Sequence, residues 1–171
     1  MIVRDENEED RGALDALHRA AFGGGDEMAL VHRLHDEDLV ALSLVATIGG
    51  HIVGHALFSR LDMEIDGRKV RALALAPMAV VPLRQRQGVG TRLMGESLLR
   101  LGKTRYEAVI VVGHEDYYPR FGFSSELARK LASPFQTDAF MALELKEGAL
   151  EGEKGRVIYP PAFGLDGTAS A

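Results

Sequence analysis

A long apolar run from Val70 to Val81 is followed by Arg84-Gln85-Arg86-Gln87-Gly88-Val89-Gly90, and then by Leu93, Met94, Leu98 and Leu101 at helical spacing. A second continuous apolar run, Ala108 to Val112, has the length of a buried strand. Strands separated by a helix of this size cannot form a hairpin; they pair in parallel through a crossover, which in nearly all proteins is right-handed. The chain therefore contains a βαβ unit with a glycine-bearing turn between its first strand and its helix. This feature makes the fold mixed α/β.

The flanking segments add antiparallel strands and helices around that unit. Ile2 to Arg4 reads as a short strand, and Asn7 as the N-cap of a helix whose apolar face carries Leu14, Leu17, Ala21 and Phe22. Gly23, Gly24 and Gly25 end it, and Asp26 starts a second amphipathic helix through Leu30, Val31 and Leu34. Leu42 to Ile48 and His51 to Ser59 flank Gly49-Gly50, the signature of a two-residue hairpin. The second strand continues through Met63 and Ile65 to another turn at Asp66-Gly67, so a meander leads into Val70 to Val81, which Pro77 is expected to interrupt. Gly95, costly inside a helix, is read as a mark of close packing. Phe140 to Leu145 is the last expected strand. Residues 1 to 145 are expected to form one domain, and 146 to 171 an extension, partly packed through Val157 to Phe163, with a frayed end.

At 171 residues the chain is sized for one domain that needs no metal or disulfide support. It has no cysteine, which excludes disulfides, thiolate zinc sites and a cysteine nucleophile. A net charge of -5 argues against nonspecific attraction to nucleic acid. The acidic N-terminal stretch MIVRDENEED lacks the apolar core of a signal peptide, and no segment has the ~20 apolar residues of a membrane span. A cytoplasmic protein with no nucleic-acid or membrane partner is the expectation.

The turn before the helix has a specific chemical aptitude. A helix start presents unpaired N–H groups and the positive end of the macrodipole, and glycines let a phosphate approach the backbone. Arg84 and Arg86 add positive charge. The plainer reading is that Gly88 and Gly90 only permit a tight turn. A dinucleotide fingerprint fails because Leu93 stands where its third glycine belongs. A nucleotide P-loop ending at Gly102-Lys103-Thr104 fails because Ser97 stands where its first glycine belongs. A second cluster, Tyr117-Tyr118-Pro119-Arg120-Phe121-Gly122-Phe123, follows the buried strand and on its own reads as core-edge packing. Gly88 and Tyr118 nonetheless sit at opposite ends of one βαβ unit, where both can face a crevice beyond the strand ends.

These residues resemble the GNAT superfamily of acyl-CoA-dependent N-acetyltransferases. Gln85 to Gly90, QRQGVG, matches the family's Q/R-x-x-G-x-G/A coenzyme A loop, the preceding APMAVVP resembles its central strand, and Tyr118 with Gly122 and Phe123 resembles its Y-x-x-x-G-F segment. The resemblance covers roughly residues 1 to 145. It implies a mixed, mainly antiparallel central sheet with a βαβ coenzyme A-binding unit and flanking helices. It implies acetyl-CoA as cosubstrate, with the backbone of Met78, Ala79 and Val80 pairing with the pantetheine arm and polarising the thioester. Gln85, Arg86, Gln87, Gly88, Val89, Gly90 and Thr91 would hold the pyrophosphate, and Tyr118 would protonate the departing thiolate. Transfer would go directly to a primary amine.

One element of the family pattern is missing. Many members carry a glutamate on the central strand, but Ala72 to Val81 has no carboxylate. His55, Glu64, His114 and Glu115 are the candidate bases, with solvent as the alternative, and for each of them a surface or core role is the blander reading. His51 with His55, and His32 with His35, make only pairs, so no metal site is assigned. The acceptor is open between a small-molecule amine and a protein amino group. Val157 to Phe163 either covers the chain's own sheet or meets a second copy in a homodimer. The reading from another class is a non-catalytic acyl-CoA-binding sensor or interaction module.

Overall fold

The computed structural model describes residues 1–165; the expected frayed end lies mostly outside them. Contacts divide the chain into two compact units, the first made of Met1–Ser59 and Ala76–Arg100, the second of Arg60–Leu75 and Leu101 onward. No helix among the described residues is long and apolar enough to cross a membrane.

The first unit begins with β1 (Ile2–Asp5), a 3-10 turn at Glu8–Asp10, α1 (Arg11–Phe22) and α2 (Asp26–Asp36). Asn7 does serve as an N-cap, but of the 3-10 turn: its backbone N–H donates to Asp10 Oδ2 at 2.8 Å, and Asp10 is further held by Arg4. Gly23, at φ +84°, closes α1 in the left-handed conformation that glycine adopts without strain. α1 buries Leu14, Leu17 and His18, and α2 buries Met28, Val31 and Leu34. β2 (Val40–Ile48) pairs antiparallel with β1 and with the first part of β3 (His51–Ile65). Their turn, Gly49-Gly50 at φ +58° and +80°, fits the two-residue hairpin. A bulge between Ala46 and Thr47 shifts the register beside Val53 and Gly54. Leu44, Ala46, Val53, Val89 and Leu93 form a buried cluster that joins this sheet to α3 (Val89–Leu101).

β4 (Arg68–Val80) runs through Pro77 without a break. Its first half lies in the second unit, where Ala72, Leu73 and Ala74 pair in parallel with Ala108, Val109 and Ile110 of β5 (Ala108–Val112). β7 (Phe140–Glu144) adds antiparallel to β5. Between them come a 3-10 turn at Tyr118–Phe121, α4 (Ser125–Ala128) and β6 (Leu131–Ala132). The apolar piece near the C-terminus becomes β8 (Gly155–Ile158), antiparallel to residues 62–65 of β3 and parallel to β6. Val157 enters a core with Met63, Ile65, Ile110, Leu131 and Phe140, while Tyr159 stacks edge-on with Phe135 and Phe163. The segment 155–163 is thus built into the second unit.

Gly95 corrects its sequence reading. A Cβ there would meet nothing within 4 Å, so no close packing requires this glycine. The close approach occurs instead at Gly54, where a Cβ would lie 2.8 Å from Leu93 Cδ1, 2.9 Å from Val89 Cγ1 and 3.4 Å from Ala79 O.

Candidate active site

Gly54 explains how the turn at 85–91 is held. With no side chain there, the first turn of α3 settles directly on β3, and Val89 and Leu93 become buried. Val81 N donates to Val53 O at 2.9 Å, so residues 53–55 of β3 run beside residues 79–81 of β4. Helix start, β3 and the end of β4 are thereby locked together within the first unit.

Leading out of β4, Pro82–Arg84 forms a 3-10 turn in which Arg84 N donates to Val81 O at 2.8 Å. Arg86 then takes φ +62° and Gly88 φ +87°. Two left-handed residues so close together curl the backbone so that successive N–H groups can converge on an anion. For Arg86 that conformation costs about 1–2 kcal/mol. Helical bonding starts at Arg92 N, which donates to Gly88 O at 3.0 Å. The N–H groups of Val89, Gly90 and Thr91 precede it and fall among those a first turn cannot satisfy from within. Residues 82–88 are exposed, and a Cβ at Gly88 would face open space. The turn is thus an accessible cradle of backbone donors flanked by Arg84 and Arg86, a donor set that suits a diphosphate.

The glutamines have a role that the motif alone does not reveal. Gln85 Nε2 donates to Val80 O at 3.1 Å, and Gln87 Nε2 to Leu83 O at 3.0 Å. Both side chains tie the turn to itself and leave the backbone to face outward. Gln85 also occupies the carbonyl of Val80, one of the three strand residues expected to offer backbone groups.

Tyr118 belongs to the second unit and opens its 3-10 turn, buried to 8% exposure. The turn ends at Gly122, whose φ of +99° suits glycine. Tyr117 and Phe123 meet the Tyr118 ring edge-on at centroid distances of 5.1 and 5.7 Å. Gly113 lies against it: a Cβ there would overlap Tyr118 Cε2 and stand 3.0 Å from Cδ2. Burial, reinforced by Tyr117, pushes the Tyr118 phenol up to about 12, so it remains protonated at neutral pH and has a proton to give.

The four candidate bases separate. Glu64 is ion-paired with Arg156 at 2.9 Å, and His114 and Glu115 are exposed. His55 is fully buried, with Nε2 2.8 Å from Ser43 Oγ and Nδ1 2.9 Å from His18 Nε2. Glu6, Ser43 and His18, which complete this arrangement, carry no local sequence signal. Among the described residues no group of three or more His, Asp or Glu is gathered as metal ligands would be.

Known proteins share this fold. The acetyltransferase (GNAT) domain family matches residues 3–125. The uncharacterized N-acetyltransferase YhbS of Escherichia coli K12 is 34% identical over 166 residues, covering 95% of this chain and 98% of its own. YjhQ of the same strain, also named an uncharacterized N-acetyltransferase, is 37% identical over 116 residues, 67% of this chain and 64% of its own. The crystal structure of E. coli YhbS in complex with CoA superposes with a TM-score of 0.86 at 32% identity, covering 97% of this chain and 93% of that one. A Brucella melitensis GNAT acetyltransferase in complex with acetyl-CoA gives 0.76 at 28% identity, with 95% and 97% covered. A backbone anion cradle on a βαβ turn, a mixed sheet and near full-length similarity agree: the chain belongs to the GNAT family of N-acetyltransferases.

Proposed function

We propose that this protein transfers the acetyl group of acetyl-CoA directly to a primary amine. The observation that carries this reading is the cradle at 85–91, seated through Gly54 beside residues 79–81 of β4. In it, the N–H groups from Arg86 to Thr91 bind the diphosphate, with Arg84 and Arg86 adding charge and the Thr91 hydroxyl a further donor. Gln85 and Gln87 keep the turn in shape. The backbone at Met78, Ala79 and Val80 aligns the pantetheine arm as an added strand would, and an N–H at Ala79 or Val80 polarises the thioester carbonyl. Tyr118 donates its phenolic proton to the thiolate as the carbon–sulfur bond breaks and the new amide bond forms. Most of the acceleration comes from holding amine and thioester together in attack geometry. The acceptor is a small-molecule amine or a protein amino group, and the setting is the cytoplasm.

A calorimetric titration with CoA, followed by a thiol-release assay with acetyl-CoA across a panel of primary amines, tests the proposal. Saturable binding with release for at least one amine is expected, with release strongly reduced in Tyr118→Phe. Binding with no release for any amine would instead favour an acyl-CoA sensor, and no binding at millimolar CoA would refute both.

A further inference from the structure

The exposed flank of α3 breaks local rules that its buried face obeys. Val89, Leu93 and Ser97 are buried, while Gly88, Arg92, Gly95 and Leu99 share the other side and are exposed. Gly95 weakens the helix, and no contact within the protein calls for it, since a Cβ there would meet nothing within 4 Å. A Cβ at Gly88 would be equally free. Arg92 stands between these two glycines, one turn after Gly88, with its N–H donating to Gly88 O at 3.0 Å. Helical side chains lean toward the N-terminus, so the Arg92 side chain reaches back over bare backbone.

Charge is also placed against local preference. A cation in the first turn of a helix meets the positive end of the macrodipole, and α3 has no acidic residue in that turn. Arg84 and Arg86 stand just before it, so three like charges gather at one helix end. Glu96, four residues after Arg92 and in register to pair with it, is held instead by Arg100 at 3.1 Å, and Arg100 also bonds Asp5 at 3.1 Å. Elsewhere in the first unit Arg4 pairs with Asp10, Arg11 with Glu6 and Arg19 with Asp15. Arg84, Arg86 and Arg92 have no ion pair among the described residues. Local rules broken together in this way mark a functional surface. Arg84 and Arg86 lie in the turn itself and flank a diphosphate seated there. Arg92, a turn further along the side of the helix, is left without an anion. CoA has one more to offer: the 3′-phosphate of its ribose, a monoester with a charge of about −1.5 to −2 at neutral pH.

We propose that Arg92 receives the 3′-phosphate of CoA and thereby makes this protein select CoA thioesters over dephospho-CoA thioesters. This inference rests on the acetyl-transfer reading and adds to it the group that recognises the nucleotide end of the cosubstrate. The ligand runs from pantetheine at 78–80 through the diphosphate at 86–91, and its nucleotide then leaves along the bare strip of α3. Gly88 and Gly95 keep that strip low, so that ribose and phosphate come beside the guanidinium. The planar fork of arginine donates two parallel N–H bonds to phosphate oxygens, and the phosphate supplies the counter-charge that Glu96 does not.

Calorimetric titration with CoA and with dephospho-CoA at one salt concentration tests the assignment. The parent should bind CoA about 10-fold or more tightly than dephospho-CoA, the worth of a charge-assisted hydrogen bond. Arg92→Gln, which keeps a good helix former, should lose that factor for CoA, stay within about twofold for dephospho-CoA, and show no fall in Tm. Arg92→Lys should retain part of the preference. Arg84→Gln should weaken both ligands alike. Gly95→Gln should raise Tm and weaken CoA binding. Equal affinity of the parent for the two ligands, or an equal loss for both in Arg92→Gln, overturns the proposal and leaves the diphosphate cradle standing. Preference for CoA that depends on Arg92, without turnover of any amine, would refute acetyl transfer and uphold the role of Arg92. No binding of either ligand at millimolar concentration would overturn both.

Discussion

Gly54→Ala probes the link between β3 and the cradle at 85–91 with a single methyl group. The added carbon would stand 2.8 Å from Leu93 Cδ1 and 2.9 Å from Val89 Cγ1. Carbon atoms rest about 3.5–4.0 Å apart, so each contact overlaps by roughly 0.6–1.2 Å. Neither partner can retreat freely: Leu93 is fully buried, Val89 is 2% exposed, and valine is stiff at χ1. Overpacking of this kind costs about 1–3 kcal/mol, or about 2–12 °C in Tm for a chain of this length. The sign is informative, because intrinsic preference alone makes alanine better than glycine in a strand by about 0.5–1 kcal/mol. Relief comes from lifting the start of α3, which moves the N–H groups proposed to bind the diphosphate. Loss of one charge-assisted hydrogen bond, about 1.5–3 kcal/mol, weakens CoA binding by about 10- to 100-fold. Thermal unfolding and calorimetry with CoA read both effects. In a Val89→Ala background one overlap is gone, and Gly54→Ala should cost measurably less. A variant with unchanged Tm and a CoA Kd within about twofold would refute the claim that this contact positions the cradle.

Three further outcomes are expected. Tyr118→Phe should lower kcat by about 10²–10⁴ without altering CoA affinity, measured by thiol release and calorimetry. Gly113→Ala should displace the Tyr118 ring, lowering both Tm and kcat; equal Tm values for Gly113→Ala and the parent would show that the contact is not tight. His18 titrates near pH 6.5 in the unfolded chain but near 4 when folded, so the unfolded state binds more protons in between and stability falls as pH drops through that window. Urea unfolding should show about 3 kcal/mol lost from pH 7 to 4 through this group, with Glu6 adding loss in the same direction below about 4.5, and His18→Leu should flatten the upper part of the slope.

The elements with local signatures were legible in the sequence. Gly49-Gly50 and Asp66-Gly67 announce hairpins because their left-handed conformations are unfavourable for most residues, and the structure uses all four in that way. The helices around Leu14 and Leu93 follow from apolar periodicity, and the parallel pairing of Ala72–Ala74 with Ala108–Ile110 follows from the length of the crossover. Gly95 and Gly54 show where such reasoning ends. Both interrupt regular segments, and only the surroundings reveal that one faces open space while the other admits a helix. β6 was equally hidden, since Leu131–Ala132 is too short to display alternation and is fixed by pairing with β8.

The arrangement around His55 was illegible for a stronger reason. Ser43 lies 12 residues from His55, and Glu6 and Ser43, like His18 and His55, are 37 residues apart, so no spacing rule unites them. Glu6 stands in an acidic N-terminal stretch whose composition suggests a solvated surface, and His18 sits on the apolar face of α1, where an isolated histidine suggests packing. Only the antiparallel return of β2 between β1 and β3 brings them together. Burial then reverses the usual meaning of their types: a carboxylate without partners would be too costly there, so Arg11, His35 and Ser43 become necessary once Glu6 is covered. A strand packed with alanine, leucine and valine leaves no place for a charge, whereas the helix-covered side of β3 has one whose donors lead, bond by bond, to the unused nitrogen of His18.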